Sequence, residues 1–334
     1  MKVLLHGFAL KDSTVAGFSE LAGAKNVHVF SPQDDPGRKN YSLDNLAQYD
    51  LIAFGQLCYF DRYLKRILDY NTSAPKIYID TGDDFFIKNI FKHKAIEYYF
   101  KRELYNTQPT NAIEWEARYL FGQYLSTPLN GGGYNLSNSW HRLRMPYKIS
   151  VKGSIKSKKP ILPYPISVPS NRSVSWGSRN IDLSFILKLV GQRGRVDMFN
   201  YLTNLQKEMP DEKMVISPGN LKRDSFYDML SHSKASISLR GYGMDTFRYW
   251  EIPSFGSLLM SPDIPLLIPN NFKDGESAIF FKSKEELKQK FIKYVVKSDE
   301  WKEIAKTGYE HHKKYHIPKE RVKRQILEQI DLKP

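Results

Sequence analysis

Apolar residues along the first eighty positions arrive in short runs, each closed by polar turn residues. The runs KVLLHGF (2–8), NVHVFS (26–31), LIAFG (51–55) and KIYIDT (76–81) predict four strands. The amphipathic stretches between them predict helices, and that alternation marks βα units feeding a parallel sheet. Residues 86–121, with YYFKRELY at 98–105, read as helices and connectors. The texture changes between 127 and 178: GGG at 131–133, a basic run KGSIKSKKP at 152–160, then LPYPISVPSNRSVSWGSRN. Prolines and serines without a period predict a surface connection, with the domain boundary near 165–180.

The βα pattern then resumes. LSFILKLVG (183–191), MVIS (214–217), ASISL (235–239), SLLM (257–260) and AIFF (278–281) predict strands, with helices over about 195–208 and 226–233. The remainder is helical, with Leu287, Phe291, Tyr294 and Val295 at helical spacing and Ser283 with Glu286 forming a capping box. The fold class is therefore α/β, with residues 1–165 as one domain, 166–180 as linker, 181–315 as a second domain and 316–334 as a terminal helix. The length of 334 residues agrees, because it exceeds one core and suits two domains of about 150 residues.

Composition narrows the chemistry. A balance of 50 Lys+Arg against 36 Asp+Glu gives +14, which favours phosphates, nucleic acid or an anionic membrane face as partners. Much of the excess lies between Lys282 and Arg324 on what reads as solvated helix, where it can serve solubility alone. No apolar run approaches the roughly 20 residues needed to span a bilayer. The opening MKVLLHGFALKDS is interrupted by His6, Lys11 and Asp12 and lacks a small-residue cleavage site, so it reads as a first buried strand of a cytoplasmic protein. Contact with the inner membrane face would then be peripheral. The single cysteine, Cys58, excludes a disulfide framework and any multi-cysteine metal site.

Two stretches in the second half carry anion chemistry. Gly191 ends a strand and Gln192, Arg193, Gly194 and Arg195 lead into a helix, so backbone N–H groups, the helix dipole and guanidiniums converge as diphosphates require. The other is SISLRGYGMDTFRYWEIPSFGSLLMSP, residues 236–262. Gly241 and Gly243 permit close backbone approach. Arg240 and Arg248 can make bidentate bonds to phosphate oxygens. Glu251, three residues after Arg248, shares its helix face and can either pair with it or accept from vicinal hydroxyls. Tyr242 can stack on a base or sugar, and Asp245 and Thr246 complete the same donor-binding turn. A carboxylate for a diol and arginines for phosphates describe a nucleotide-sugar donor; an Arg248–Glu251 pair that merely fixes the helix is the plainer alternative.

The run TFRYWEIPSFGSLLMSP resembles the donor-binding segment of GT-B glycosyltransferases, in particular the spore-coat-type and exostosin-like branch. LVGQRGRVDMFNYL resembles that branch's strand-Gly-Arg-helix. IFFKSKEELKQKFIKYVVKSDEWKEIAKTGYEHHKKYH resembles its ending, so that the likeness covers about residues 180–327. The resemblance implies two Rossmann-like domains facing across a cleft, with an acceptor-side N-terminal domain and a C-terminal helix able to cross back. It places Glu251 on the ribose and Arg193 or Arg195 on the donor phosphates, and has Gly256 let its helix pack on the following strand. It further implies transfer of a hexosyl or pentosyl group to a glycan, lipid-linked or protein hydroxyl without a metal, since arginine, lysine and helix dipoles neutralise the leaving diphosphate. Gly243 stands where many retaining members carry a second Glu, which leaves the stereochemical course open.

On the acceptor side, IDTGDDFFIKN offers Asp80, Asp83 and Asp84 at the end of a strand as general base. Paired carboxylates also suit Mg²⁺ or Mn²⁺, and equally suit ordinary turn and capping chemistry. His6, followed by Gly7, could act as base or touch the sugar. Lys101 and Arg102 read as a solvated helix face, and His311, His312 and His316 as surface. Two other functions fit the charge or fold: a DNA glycosyltransferase acting on hydroxymethylated bases, which needs a continuous basic groove, or a non-catalytic nucleotide-sugar or nucleic-acid binding protein.

Overall fold

In a computed structural model, the structure describes residues 1–9, 11–30, 43–55, 64–82, 93–102, 161–170, 173–188, 193–219, 221–241, 244–264 and 266–334. Asp83, Asp84, Gly191, Tyr242 and Gly243 lie outside the described residues.

The first sheet contains β1 (Val3–His6), β2 (Val27–Phe30), β3 (Leu51–Phe54), β4 (Lys76–Asp80), β5 (Tyr98–Lys101) and β6 (Ile161–Pro163), in the order β2-β1-β3-β4-β5-β6. All of its pairings are parallel. Helices α1 (Ser13–Ala22) and α2 (Leu64–Asp69) belong to it, and Asp12 caps α1 by accepting from Thr14 N at 2.7 Å. The first four strands fall where the apolar runs place them. β5 does not: the segment expected to be helical pairs in register with β4, Ile79 against Phe100 and Asp80 against Lys101. Tyr99 and Phe100 are fully buried in the cores on opposite faces of the sheet, as in a parallel strand covered on both sides. Lys101, expected on a solvated face, is buried 3.0 Å from Asp80. β6 likewise lies in the stretch expected to be a surface connection. Beyond it Tyr164, Ile166 and Val168 are buried; prolines suit such a path because they bring no N–H to satisfy.

The second sheet contains β7 (Ile181–Ile186), β8 (Met214–Ser217), β9 (Ser233–Ile237), β10 (Leu258–Pro262) and β11 (Ile279–Phe281), in the order β11-β10-β9-β7-β8, again all parallel. Around it stand α3 (Arg193–Glu208), α4 (Arg223–His232), α5 (Phe247–Ser254), α6 (Lys284–Phe291) with a π-helical turn at Ile292–Val296, and α7 (Glu300–Tyr315). Ser283 caps α6 as the sequence predicts, accepting from Glu286 N at 3.1 Å.

The last helix, α8 (Pro318–Gln325), crosses back to the first domain. Val322, Ile326 and Leu327 join Val15 and Phe18 in that domain's core, and Gly17 brings α1 against the Pro318 backbone. His312 and His316, expected at the surface, are fully buried. They continue the stripe of Trp301, Ile304, Ala305, Gly308 and Tyr309 that α7 turns inward, a face set by helical spacing and not by the polarity of single residues. Burial, reinforced by the Arg321 charge, pushes His312 down to about 3 and His316 well below its ordinary value, so both are neutral. No helix among the described residues is long and apolar enough to cross a membrane.

Candidate functional site

A parallel sheet gathers ligand groups where its strand order reverses, outside the carboxyl ends of the strands. In the second sheet that point lies between β7 and β9. Two arginines are fastened there. Arg248 on α5 donates Nε to the Ile186 carbonyl at the end of β7, at 2.8 Å. Arg195 on α3 donates to the Arg240 carbonyl at 2.8 Å and to the Lys188 carbonyl at 3.0 Å, tying together the loops after β9 and β7. Arg193 opens α3. The Arg240 side chain turns onto its own loop, with Nε 3.3 Å from Gly241 O.

Glu251 lies one turn beyond Arg248 on α5. Its Oε1 accepts from Tyr227 Oη at 3.1 Å, and that hydroxyl in turn accepts from Arg223 Nε at 2.8 Å. Burial raises the Glu251 carboxyl above its ordinary 4.5, against the opposing pull of Arg248, Tyr227 and Arg223. Burial likewise lowers Arg248. Glu251, Arg248, Arg223, Lys188, Leu221 and Phe247 line a cavity of about 450 Å³. Arg223 went unnoticed in the sequence, although a cation in the first turn of α4 opposes the helix dipole and so carried a signal. Phe247 is 57% exposed at the mouth of the cavity, an unusual position for a phenylalanine.

A second cavity of about 320 Å³ lies between the domains, lined by Lys11, Thr14, Thr81 and Arg102 from the first and by Arg223, Phe247 and Glu251 from the second. The last three residues thus face both cavities. Asp80 stands behind this cleft, fully buried, accepting from Gly82 N at 3.0 Å, Tyr99 Oη at 2.5 Å and Lys101 Nζ at 3.0 Å. It pins the turn that carries Thr81 into the cleft. His6 is also fully buried, stacked on Phe30 at 4.8 Å and edge-on to Phe54 at 5.9 Å. Asp245 is buried at the domain junction, and Thr246 is the N-cap residue of α5 with its Oγ1 3.3 Å from Ser238 Oγ.

Gly256 ends α5 with φ 68°, a left-handed conformation that favours glycine. A Cβ there would approach Trp176 to 3.2 Å and Arg179 to 3.0 Å. Arg179, which the sequence did not single out, fixes the interdomain connection by donating to the carbonyls of Leu230, Ser233 and Phe255. Among the described residues no group of three His, Cys, Asp or Glu side chains is arranged to hold a metal ion.

Over nearly its whole length the architecture is similar to that of a solved structure. The lipopolysaccharide outer core galactosyltransferase WaaB is 10% identical with a TM-score of 0.50, covering 98% of this chain and 100% of that one. The fold is GT-B. HepE of Anabaena, solved in complex with UDP, is 10% identical with a TM-score of 0.49, covering 99% of this chain and 100% of the other. TarM is 12% identical with a TM-score of 0.44 over 75% of this chain, and the chain spans only 53% of TarM's length. Residues 188–328, the stretch that holds Arg195, Arg248 and Glu251, match the family described as "Glycosyl transferase-like". No curated protein matches the chain. The likeness to WaaB carries the fold alone, and neither it nor the family match over residues 188–328 singles out the spore-coat-type and exostosin-like branch.

Proposed function

We propose that the protein is a glycosyltransferase whose second domain binds a nucleotide sugar and whose first domain presents a hydroxyl acceptor. The observation that carries this reading is the convergence of Arg248, Arg195 and Glu251 on the strand-order reversal of the second sheet, beside a cavity of about 450 Å³. Glu251 keeps one carboxylate oxygen toward Tyr227 and offers the other to the ribose diol. Arg248, with Arg195 and Arg240 around the same loops, receives the diphosphate, and Arg193 is assigned to the same role from its position in the sequence.

In the transfer, the acceptor oxygen forms a bond to the anomeric carbon while that carbon's bond to the diphosphate oxygen breaks. The diphosphate leaves with the electron pair and is held by the guanidiniums; the acceptor proton passes to a carboxylate of the first domain. Asp80 is engaged by three donors, so we assign it to anchoring the turn and give the base to Asp83 or Asp84, which follow it in sequence. His6 is assigned to the floor beneath the cleft, between Phe30 and Phe54. The acceptor is a glycan, lipid-linked or protein hydroxyl. Lysines on the later helices stand beside glutamates, as in Lys288–Glu208, Lys290–Glu286 and Lys306–Glu303, which describes a solvated mixed-charge face better than a groove for DNA. Neutralisation by guanidiniums further implies that no divalent metal is required.

A panel of nucleotide sugars tests the proposal through release of nucleoside diphosphate. One donor should be turned over, at an unchanged rate in excess EDTA, and acceptor addition should raise the rate. Turnover of none would overturn the reading, and turnover abolished by EDTA would overturn its metal-independent form.

A further inference from the structure

The loop between β9 and α5 carries the donor-side groups, yet one of its residues faces away from both cavities. Asp245 is fully buried and lines neither of them. Its Oδ1 accepts from Trp250 Nε1 at 2.5 Å and its Oδ2 from the backbone N–H of Ile166 at 2.5 Å. Arg102, at the end of the β5 strand of the first domain, brings Nε to 3.5 Å from Oδ2 and donates Nη2 to the Asp245 carbonyl. The same guanidinium donates Nη1 to the Thr81 carbonyl at 3.1 Å, in the turn that leads to the proposed base. On its other side, Trp250 carries the guanidinium of Arg321 over its ring at 4.3 Å, and Arg321 sits on α8, the helix docked on the first domain.

One carboxylate therefore joins four segments: the donor loop, the turn after β4, the interdomain connection at Ile166, and, through Trp250, the returning helix. A buried carboxylate is tolerable only while its partners surround it. Here they come from both domains, so opening the cleft or moving the donor loop strands the charge. We infer that Asp245 is a positioning residue that couples the conformation of the nucleotide-binding loop to the closure of the two domains. This assigns to it a role distinct from the direct donor contact that the sequence suggests. The ligand half of the inference rests on the proposed function, while the mechanical half does not.

The test uses the full chain with Asp245→Asn, Arg102→Gln and the double variant. Without ligand, scanning calorimetry of the wild type should show one cooperative transition, and each variant should split it into two. With a saturating nucleoside diphosphate, the wild-type transition should move as a whole, and in the variants only one of the two should move. Nucleotide affinity should fall about tenfold in each single variant and no further in the double, as expected for coupled sites. A single undivided transition in both single variants overturns the coupling, as do losses that add in the double variant. If no nucleoside diphosphate binds the wild type, the proposed function fails, and the ligand-free transitions still decide the mechanical half. Should Asp245→Asn not fold, Arg102→Gln alone gives the same two readouts.

Discussion

Replacing Gly17 with alanine probes the return of α8 to the first domain, on which the two-domain geometry depends. In an isolated helix this change stabilises by about 1 kcal/mol, because alanine costs less backbone entropy than glycine. Here the new Cβ would lie 2.6 Å from Val322 Cγ2 and 2.8 Å from the Pro318 carbonyl carbon, and would press on the Pro318 oxygen as well. The side chain could yield by rotating; the backbone carbonyl cannot. Overpacking of this kind costs about 1–3 kcal/mol, and a backbone neighbour places it near the upper end. The net expectation is a loss of about 2 kcal/mol in unfolding free energy. Gly177, with nothing within 4 Å of its hypothetical Cβ, is the control, and its alanine variant should change stability by less than about 0.5 kcal/mol. Urea unfolding of both variants beside the wild type decides the matter. A Gly17→Ala protein more stable than wild type by the full helix-propensity gain would show that α8 does not pack where the structure puts it.

Three further outcomes follow from buried groups. His312 is held near 3 against an ordinary 6.5, so the unfolded chain binds a proton that the folded chain refuses between those values. Its stabilisation is complete above pH 6.5 and is lost as pH falls, by about 1.4 kcal/mol at pH 5.5. Urea midpoints at pH 7.5 and 5.5 should therefore differ less in His312→Leu than in wild type, and an equal difference would contradict the burial. Glu251 has the opposite sign: its carboxyl is raised, so its contribution to stability is present below pH 4.5 and lost as pH rises through the folded value. Nucleotide binding needs the ionised form, so affinity should strengthen over that same rise, with a midpoint above 4.5, and Glu251→Gln should lack this component. Tyr227→Phe removes the hydroxyl between Arg223 and Glu251 and should weaken nucleotide binding about 2- to 10-fold in a calorimetric titration, the worth of one hydrogen bond. An unchanged affinity would remove Tyr227 from the site.

The strands that sequence reasoning located were the ones with continuous apolar runs, because parallel strands covered on both faces leave that signature. Tyr98–Lys101 escaped because its lysine made the segment look amphipathic; the charge is neutralised by Asp80 on the neighbouring strand, a partner that only the fold supplies. His312, His316 and Arg321 looked like solvated charge for the same reason, since nothing local announces that Trp250 covers the guanidinium. In the site, Arg248 and Glu251 were legible because one helical turn fixes their relation whatever the tertiary structure. Asp245 was visible as a residue but not in its role, which depends on Arg102, 143 positions away in the chain. Arg223 carried its clue in the wrong-signed charge at a helix start.

The central claim is that Glu251 and the arginines beside it form a nucleotide site. Calorimetric titration of the wild type and Glu251→Gln with a panel of nucleoside diphosphates tests it most directly. The account predicts saturable binding of at least one nucleoside diphosphate by the wild type, and a loss of about tenfold or more in the variant, which still unfolds cooperatively. No binding across the panel, or a variant that binds as tightly as the wild type, would contradict it.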